Sequence, residues 1–153
     1  MINRRIFIQN SFSLIAFAVC SKLLAVGQND PWPPGDLMQP SELAALVIKA
    51  DPSLHVICVA FPVLYRQRHI KSAILAGPAS KPEGIADLHS ALQKLNKSDL
   101  IVLYCGCCPM TQCPNIRPAY TAARQAEFQN VRVLNLPSNF HTDWTAKGYP
   151  VVE

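Results

Sequence analysis

The chain has 153 residues, half of them apolar and 16% charged. That is enough for one domain with a core, and it excludes a disordered charged tail or a coiled coil. The formal charge of +4 comes largely from Arg4, Arg5 and Lys22. Residues 28–153 hold eleven basic and ten acidic side chains, so the body lacks the basic face a nucleic-acid binder needs, and nucleic acid is excluded as a partner.

In chain order, Arg4-Arg5 precede an apolar stretch from Phe12 to Cys20 that resumes as Leu23-Leu24-Ala25-Val26-Gly27. A positive start, an apolar run too short to span a bilayer comfortably and small residues after it form a signal-peptide pattern. Asn3-Arg4-Arg5-Ile6-Phe7-Ile8-Gln9 is similar to the twin-arginine export motif, with Asn3 and Gln9 departing from it. Residues 1–27 are therefore expected to be an export signal cleaved after Gly27. The remainder is expected to be exported, periplasmic and without stable membrane insertion. Pro31, Pro33, Pro34 and Gly35 make residues 28–38 an extended segment, and residues 39–153 are expected to be the folded domain.

Ser41-Glu42 opens a helical pattern with Leu43, Leu46, Val47 and Ala50 on one face, stopped by Asp51-Pro52. Leu54 to Phe61 is a continuous apolar run and reads as a strand covered on both faces. Ala73-Ile74-Leu75 is a short strand ended by Gly77-Pro78. Ile85, Leu88, Leu92 and Leu95 give an amphipathic helix over 83–95. Leu100 to Tyr104 is a third buried strand. After a Cys- and Pro-rich loop, Pro118 suits a first helical turn, followed by the small face of Ala119, Ala122, Ala123 and Ala126. Val131 to Leu136 is the last strand. Strands alternating with helices predict an α/β fold with a parallel sheet flanked by helices, and ligands in such sheets sit beyond the carboxyl ends of the strands.

The Cys-rich loop begins at such an end. It reads Cys105-Gly106-Cys107-Cys108-Pro109-Met110-Thr111-Gln112-Cys113-Pro114-Asn115-Ile116-Arg117. A Cys between a strand and a helix start meets unpaired N–H groups and the positive end of the helix dipole, both of which favour a thiolate. Arg117 adds positive charge. Such a thiolate is a nucleophile, and a loop of inward N–H groups holds an anion.

Three motifs in order resemble the single-domain rhodanese family of sulfurtransferases. Leu64-Tyr65-Arg66-Gln67-Arg68-His69-Ile70-Lys71-Ser72-Ala73 is similar to the family's "EYxxGHIPGA" stretch. Leu100 to Cys105 resembles the strand leading into its catalytic Cys. Trp144 with Gly148-Tyr149-Pro150-Val151 resembles its closing "W…GYPV". The resemblance runs from about Gln39 to Val151. It implies that Cys105 takes the outer sulfur of a small sulfane donor such as thiosulfate, holds it as a persulfide and passes it to a thiol or cyanide. Gly106, Cys107, Cys108, Met110 and Thr111 would form the substrate-binding loop, Arg117 would align with the loop-ending Arg, and no cofactor is implied.

Departures from the family pattern keep other readings open. The usual loop is about half as long, and the extra residues bring Cys107, Cys108 and Cys113. Ala60-Phe61-Pro62 stands where the family carries an Asp. Cys113, nearer the helix start, rivals Cys105 as nucleophile. An exported chain oxidises clustered cysteines, so one bridge, Cys107–Cys113 or Cys108–Cys113, is expected beside free thiols; an adjacent Cys107–Cys108 bond is strained. With Cys58, residues 28–153 hold five cysteines, and an odd count leaves one unpaired. A neighbouring Cys can also resolve a persulfide on Cys105 by exchange. The alternative reading is soft-metal binding, zinc or copper, by these thiols with His141; against it, the paired Cys-x-x-Cys spacing is missing. Cys-dependent phosphatases of this fold need Arg six residues after the nucleophile. Here Thr111, Cys113 and Pro114 stand six after Cys105, Cys107 and Cys108, which excludes that activity. His141 and Asp143 are expected near the active face. His69, His55, His89 and Trp144 are expected to be structural or exposed, Cys58 an inert core residue, and Met110 a residue at the mouth of the loop.

Overall fold

The computed structural model describes residues 32–153; the expected export signal lies outside the described residues. The elements are β1 (Leu37–Met38), α1 (Pro40–Lys49), β2 (Leu54–Cys58), α2 (Pro62–Gln67), β3 (His69–Ile70), β4 (Ile74–Leu75), α3 (Pro82–Leu92), β5 (Leu100–Tyr104), α4 (Ile116–Gln125), β6 (Asn130–Leu134), α5 (Phe140–Asp143) and β7 (Val151–Val152).

The main sheet has the order β1-β6-β5-β2-β4, with every pair parallel. β2 and β5 run side by side from Leu54 opposite Leu100 to Cys58 opposite Tyr104. Their Val56, Ile57, Ile101, Val102 and Leu103 are buried, because strands covered on both faces must be apolar on both. Prolines at Pro40, Pro62 and Pro82 begin α1, α2 and α3, where a missing N–H costs nothing. α3 and α4 pack against each other. Gly84 makes α3's approach possible: a Cβ there would lie 2.0 Å from the Pro78 carbonyl oxygen. Among the described residues no helix is long and apolar enough to cross a membrane.

Several boundaries differ from the sequence expectation. The run from Leu54 stops as a strand at Cys58, because Phe61 is exposed and Pro62 opens α2. Val59 still extends the ladder through its N–H to the Tyr104 carbonyl, 2.8 Å. α4 begins at Ile116 and holds Pro118 in its first turn, as expected. The described part of the segment 28–38, expected to be extended, holds a 3₁₀ turn at Pro34–Asp36 and then strand β1. α2 and the small antiparallel pair β3–β7 are additions. β7 closes the chain onto the motif at residues 64–73.

Candidate active site

Cys105 is the first residue past the central strand β5. Its side chain is 5% exposed, and it lines a cavity of about 240 Å³ with Cys58, Tyr65, Arg68, Gly106, Phe140 and His141. Gly106 has φ +79°, and a Cβ there would lie 2.7 Å from Phe140 Cβ, so glycine is required on both counts. Its carbonyl accepts the Phe140 N–H at 3.2 Å. The Phe140 ring stacks between Tyr104 and Trp144, and Trp144 packs edge-on to Tyr149. Trp144 donates Nε1–H to the Pro150 carbonyl at 3.0 Å. The closing motif thus backs Phe140, which lines the cavity.

The turn at Gly106 brings Cys105 Sγ and Cys107 Sγ to 3.2 Å, and Cys107 Sγ lies 3.2 Å from Cys108 Sγ. Cys113 stands at the far end of the loop, just before α4. The sulfurs of Cys105, Cys107 and Cys113 all lie within 4.8 Å of one another. All five described cysteines are free thiols, so neither of the bridges expected for Cys113 is formed. Cys58, expected to be an inert core residue, is buried at the end of β2 yet borders the cavity; burial first of all pushes its thiol up.

Asn115 ties this loop to the next. Fully buried, it accepts the Ser80 N–H on Oδ1 at 2.8 Å and donates from Nδ2 to Cys105 Sγ at 3.4 Å. Nothing in the sequence reading singled it out. Its position after Pro114 at a helix start was the available signal, since Asn is favoured at helix N-caps.

Within this cluster the Cys113 thiol is the one held down. Hydrogen bonds from the Cys105 and Cys107 thiols bring it down to about 2; the main-chain N–H groups of Asn115 and Ile116 add to this, while burial opposes it. Cys105 is pushed up to about 12. The Cys107 thiol acts to lower it, but the hydrogen bond to Cys113, burial and the Cys113 charge outweigh that. Cys107 is raised further, first by its hydrogen bond to Cys105, and Cys108 is pushed to about 12 by burial and then by Cys107. In a coupled group the steps belong to the cluster: one charge is easily held, a second is not. The first charge is thus shared within the cluster, where the main-chain N–H groups of Asn115 and Ile116 reach Cys113.

Other expectations change as well. Arg117 does not face the sulfurs. Its guanidinium lies 4.1 Å from the Trp32 ring centroid and its Nε is buried without a partner. The cationic side chain that borders the Cys105 cavity is Arg68, which also pairs with Glu153. Met110 is buried rather than at the mouth of the loop, with its N–H bonded to the Leu136 carbonyl at 3.0 Å. Thr111 is exposed in a 3₁₀ turn away from the cavity, and Cys107 and Cys108 likewise lie outside the cavity wall. Asp143 accepts the Ser138 and Asn139 N–H groups and holds the turn before α5, whereas His141 lines the cavity. His69 stacks on Tyr65 and bonds its carbonyl, and His55 pairs with Asp99 at 3.0 Å.

A parallel α/β domain with a cysteine loop at the carboxyl end of its central strand is the class these features define. A family model of the rhodanese-like domain matches residues 25–136, and the chain belongs to that family. No curated protein matches the chain significantly. Among solved structures it is similar to the BH2092 protein of Bacillus halodurans, at 20% identity and TM-score 0.61 over 77% of either chain. It is also similar to the rhodanese-like domain of the Alr3790 protein of Anabaena sp., at 22% identity and TM-score 0.55, covering 76% of this chain and 78% of that one. A third likeness is to the Saccharomyces cerevisiae single-domain sulfurtransferase RDL2, at 17% identity and TM-score 0.57, covering 78% of this chain and 95% of that one. At these identities the likeness establishes the fold.

Proposed function

We propose that this domain is a sulfurtransferase that carries a sulfane sulfur on Cys105. One observation carries the reading: of the four loop cysteines, Cys105 is the one that borders the cavity. Arg68 and His141 on the same wall suit an anionic donor of the thiosulfate kind. Cys105 Sγ attacks the donor's outer sulfur. The donor's S–S bond breaks, its electron pair leaves with sulfite, and Cys113, its sulfur within 4.8 Å of Cys105 Sγ, takes the Cys105 proton. Asn115 Nδ2–H supports the Cys105 thiolate that attacks, a preorganised donor of the oxyanion-hole kind. A thiol or cyanide acceptor attacks the outer sulfur, the persulfide bond breaks, and the electron pair returns to Cys105. The name of RDL2 supports the same chemistry by analogy.

The 3.2 Å contact with Cys107 favours a second route. Attack of Cys107 on Cys105 Sγ releases hydrosulfide and leaves a Cys105–Cys107 disulfide for an external dithiol to reduce. The N-terminal pattern supports action after export, and fractionation of cells expressing the full chain tests that. The activity test is thiocyanate formation from thiosulfate and cyanide. It is expected for the wild-type chain and for Cys58→Ser and absent in Cys105→Ser; undiminished turnover by Cys105→Ser refutes the assignment.

A further inference from the structure

The loop holds more sulfur than a persulfide carrier needs, and the arrangement of that sulfur is specific. Cys105, Cys107 and Cys113 come from the strand end, the Gly106 turn and the helix start, yet their sulfurs converge within 4.8 Å of one another. With a bond of about 2.3 Å, the length of a zinc–thiolate bond, three sulfurs around one ion in a plane stand about 4 Å apart. The cluster meets that spacing once the 3.2 Å Cys105–Cys107 contact opens slightly. Cys107 is exposed and free to give by a side-chain rotation. All three thiols are unbridged.

The donor set is all sulfur. Among the described residues the group contains no carboxylate or imidazole, and an all-thiolate site selects soft ions over hard ones. Three thiolates round a monovalent ion leave net negative charge, which needs N–H donors in the surrounding layer. Asn115, fully buried, supplies one to Cys105 at 3.4 Å, and the main-chain N–H groups of Asn115 and Ile116 face Cys113. A tetrahedral ion such as zinc would need a fourth ligand inside the group. Cys108 Sγ lies 3.2 Å from Cys107 Sγ but outside the group of three.

We propose that Cys105, Cys107 and Cys113 form a three-coordinate thiolate site for a soft monovalent ion of the Cu(I) class, with Asn115 as its supporting hydrogen-bond donor. The site engages the same Cys105 as the proposed sulfur transfer, so metal occupancy and persulfide formation exclude each other. This last consequence rests on the sulfurtransferase reading; the binding itself does not.

The test titrates the reduced full chain anaerobically with Cu(I) against a chromogenic Cu(I) chelator, and in parallel with Zn(II). One Cu(I) per chain is expected, bound in preference to zinc. Cys107→Ser and Cys113→Ser are each expected to weaken binding by at least the roughly 10–100-fold typical of losing a supporting partner, and Cys108→Ser by less than either. Circular dichroism of each variant identifies loss of fold. X-ray absorption of the loaded wild-type chain gives an independent reading, with three sulfurs expected around copper. No stoichiometric Cu(I), preference for zinc, a sulfur-poor shell, or equal binding by a folded Cys113→Ser overturns the proposal. Sulfur uptake without Cu(I) binding defeats this inference and leaves the transferase reading standing; Cu(I) binding without sulfur uptake does the reverse.

Discussion

Replacing Asn115 by Leu removes two hydrogen bonds at nearly constant volume. The Ser80 N–H loses its acceptor at 2.8 Å and Cys105 Sγ loses its donor at 3.4 Å. An orphaned buried N–H costs about 1–3 kcal/mol of stability, a fall in Tm of roughly 4 °C per kcal/mol for a domain of this size. The effect on chemistry is separate. A hydrogen bond to a charged group contributes about 1.5–3 kcal/mol, and Cys105 Sγ is charged as the thiolate that attacks the donor, the form the Asn115 amide supports. With about 1.4 kcal/mol per tenfold in rate, Asn115→Leu should slow sulfur uptake roughly 10–150-fold. Single-turnover mixing with thiosulfate, quenched and read as a one-sulfur mass gain, measures that rate, and thermal unfolding gives the stability term. Uptake within a factor of two of wild type, by a variant with the expected lower Tm, would refute the assignment of Asn115 to the reacting sulfur.

Gly106→Ala must hold a side chain at φ +79°, 2.7 Å from Phe140 Cβ. The left-handed backbone alone costs about 1–2 kcal/mol, so thermal melts should shift down and the near-ultraviolet signal of the Phe140–Trp144 stack should change. Arg117→Ala removes the contact with Trp32; it should lower stability by roughly 0.5–2 kcal/mol while sulfur uptake stays near wild type, and a large loss of uptake would restore Arg117 to the site. Tyr104, 2% exposed, accepts the Ile70 N–H at 3.1 Å, and burial raises its hydroxyl well above the ordinary value of 10. Its neutral form is held in the fold while the unfolded chain ionises. Its contribution is therefore whole below pH 10 and declines above it by about 1.4 kcal/mol per pH unit. Tyr104→Phe should start less stable at pH 7, because the Ile70 N–H loses its partner, and should show a shallower alkaline decline in denaturant titrations.

The central strands were legible because burial on both faces forces an unbroken apolar run, as in Leu100–Tyr104. The helix over residues 82–92 was legible from the spacing of Ile85, Leu88 and Leu92. α2 was not, because none of its residues is buried and no apolar stripe marks it. β3 and β7 are two residues each, and only their antiparallel pairing makes them strands. At the site, spacing located the sulfur loop but could not give side-chain directions. Arg117 lies beside the helix start in sequence, yet its guanidinium turns to Trp32, far along the chain. Arg68 reaches the cavity only because the end of α2 folds back over the carboxyl end of the central strands, whereas His141 lines it as its place after the last strand suggested. Asn115 works through a contact with Ser80, thirty-five residues away, which no local pattern encodes. The sharing of charge among three thiols likewise depends on a turn at Gly106 that composition alone does not fix.

The most direct measurement of the central claim is peptide mapping of the sulfur after one turnover. The reduced chain is mixed with one equivalent of thiosulfate, alkylated and digested, and the extra sulfur is assigned to a residue. It should be found on Cys105, the loop thiol that borders the cavity. Finding it first on Cys113, or on no cysteine of the loop, would contradict the account.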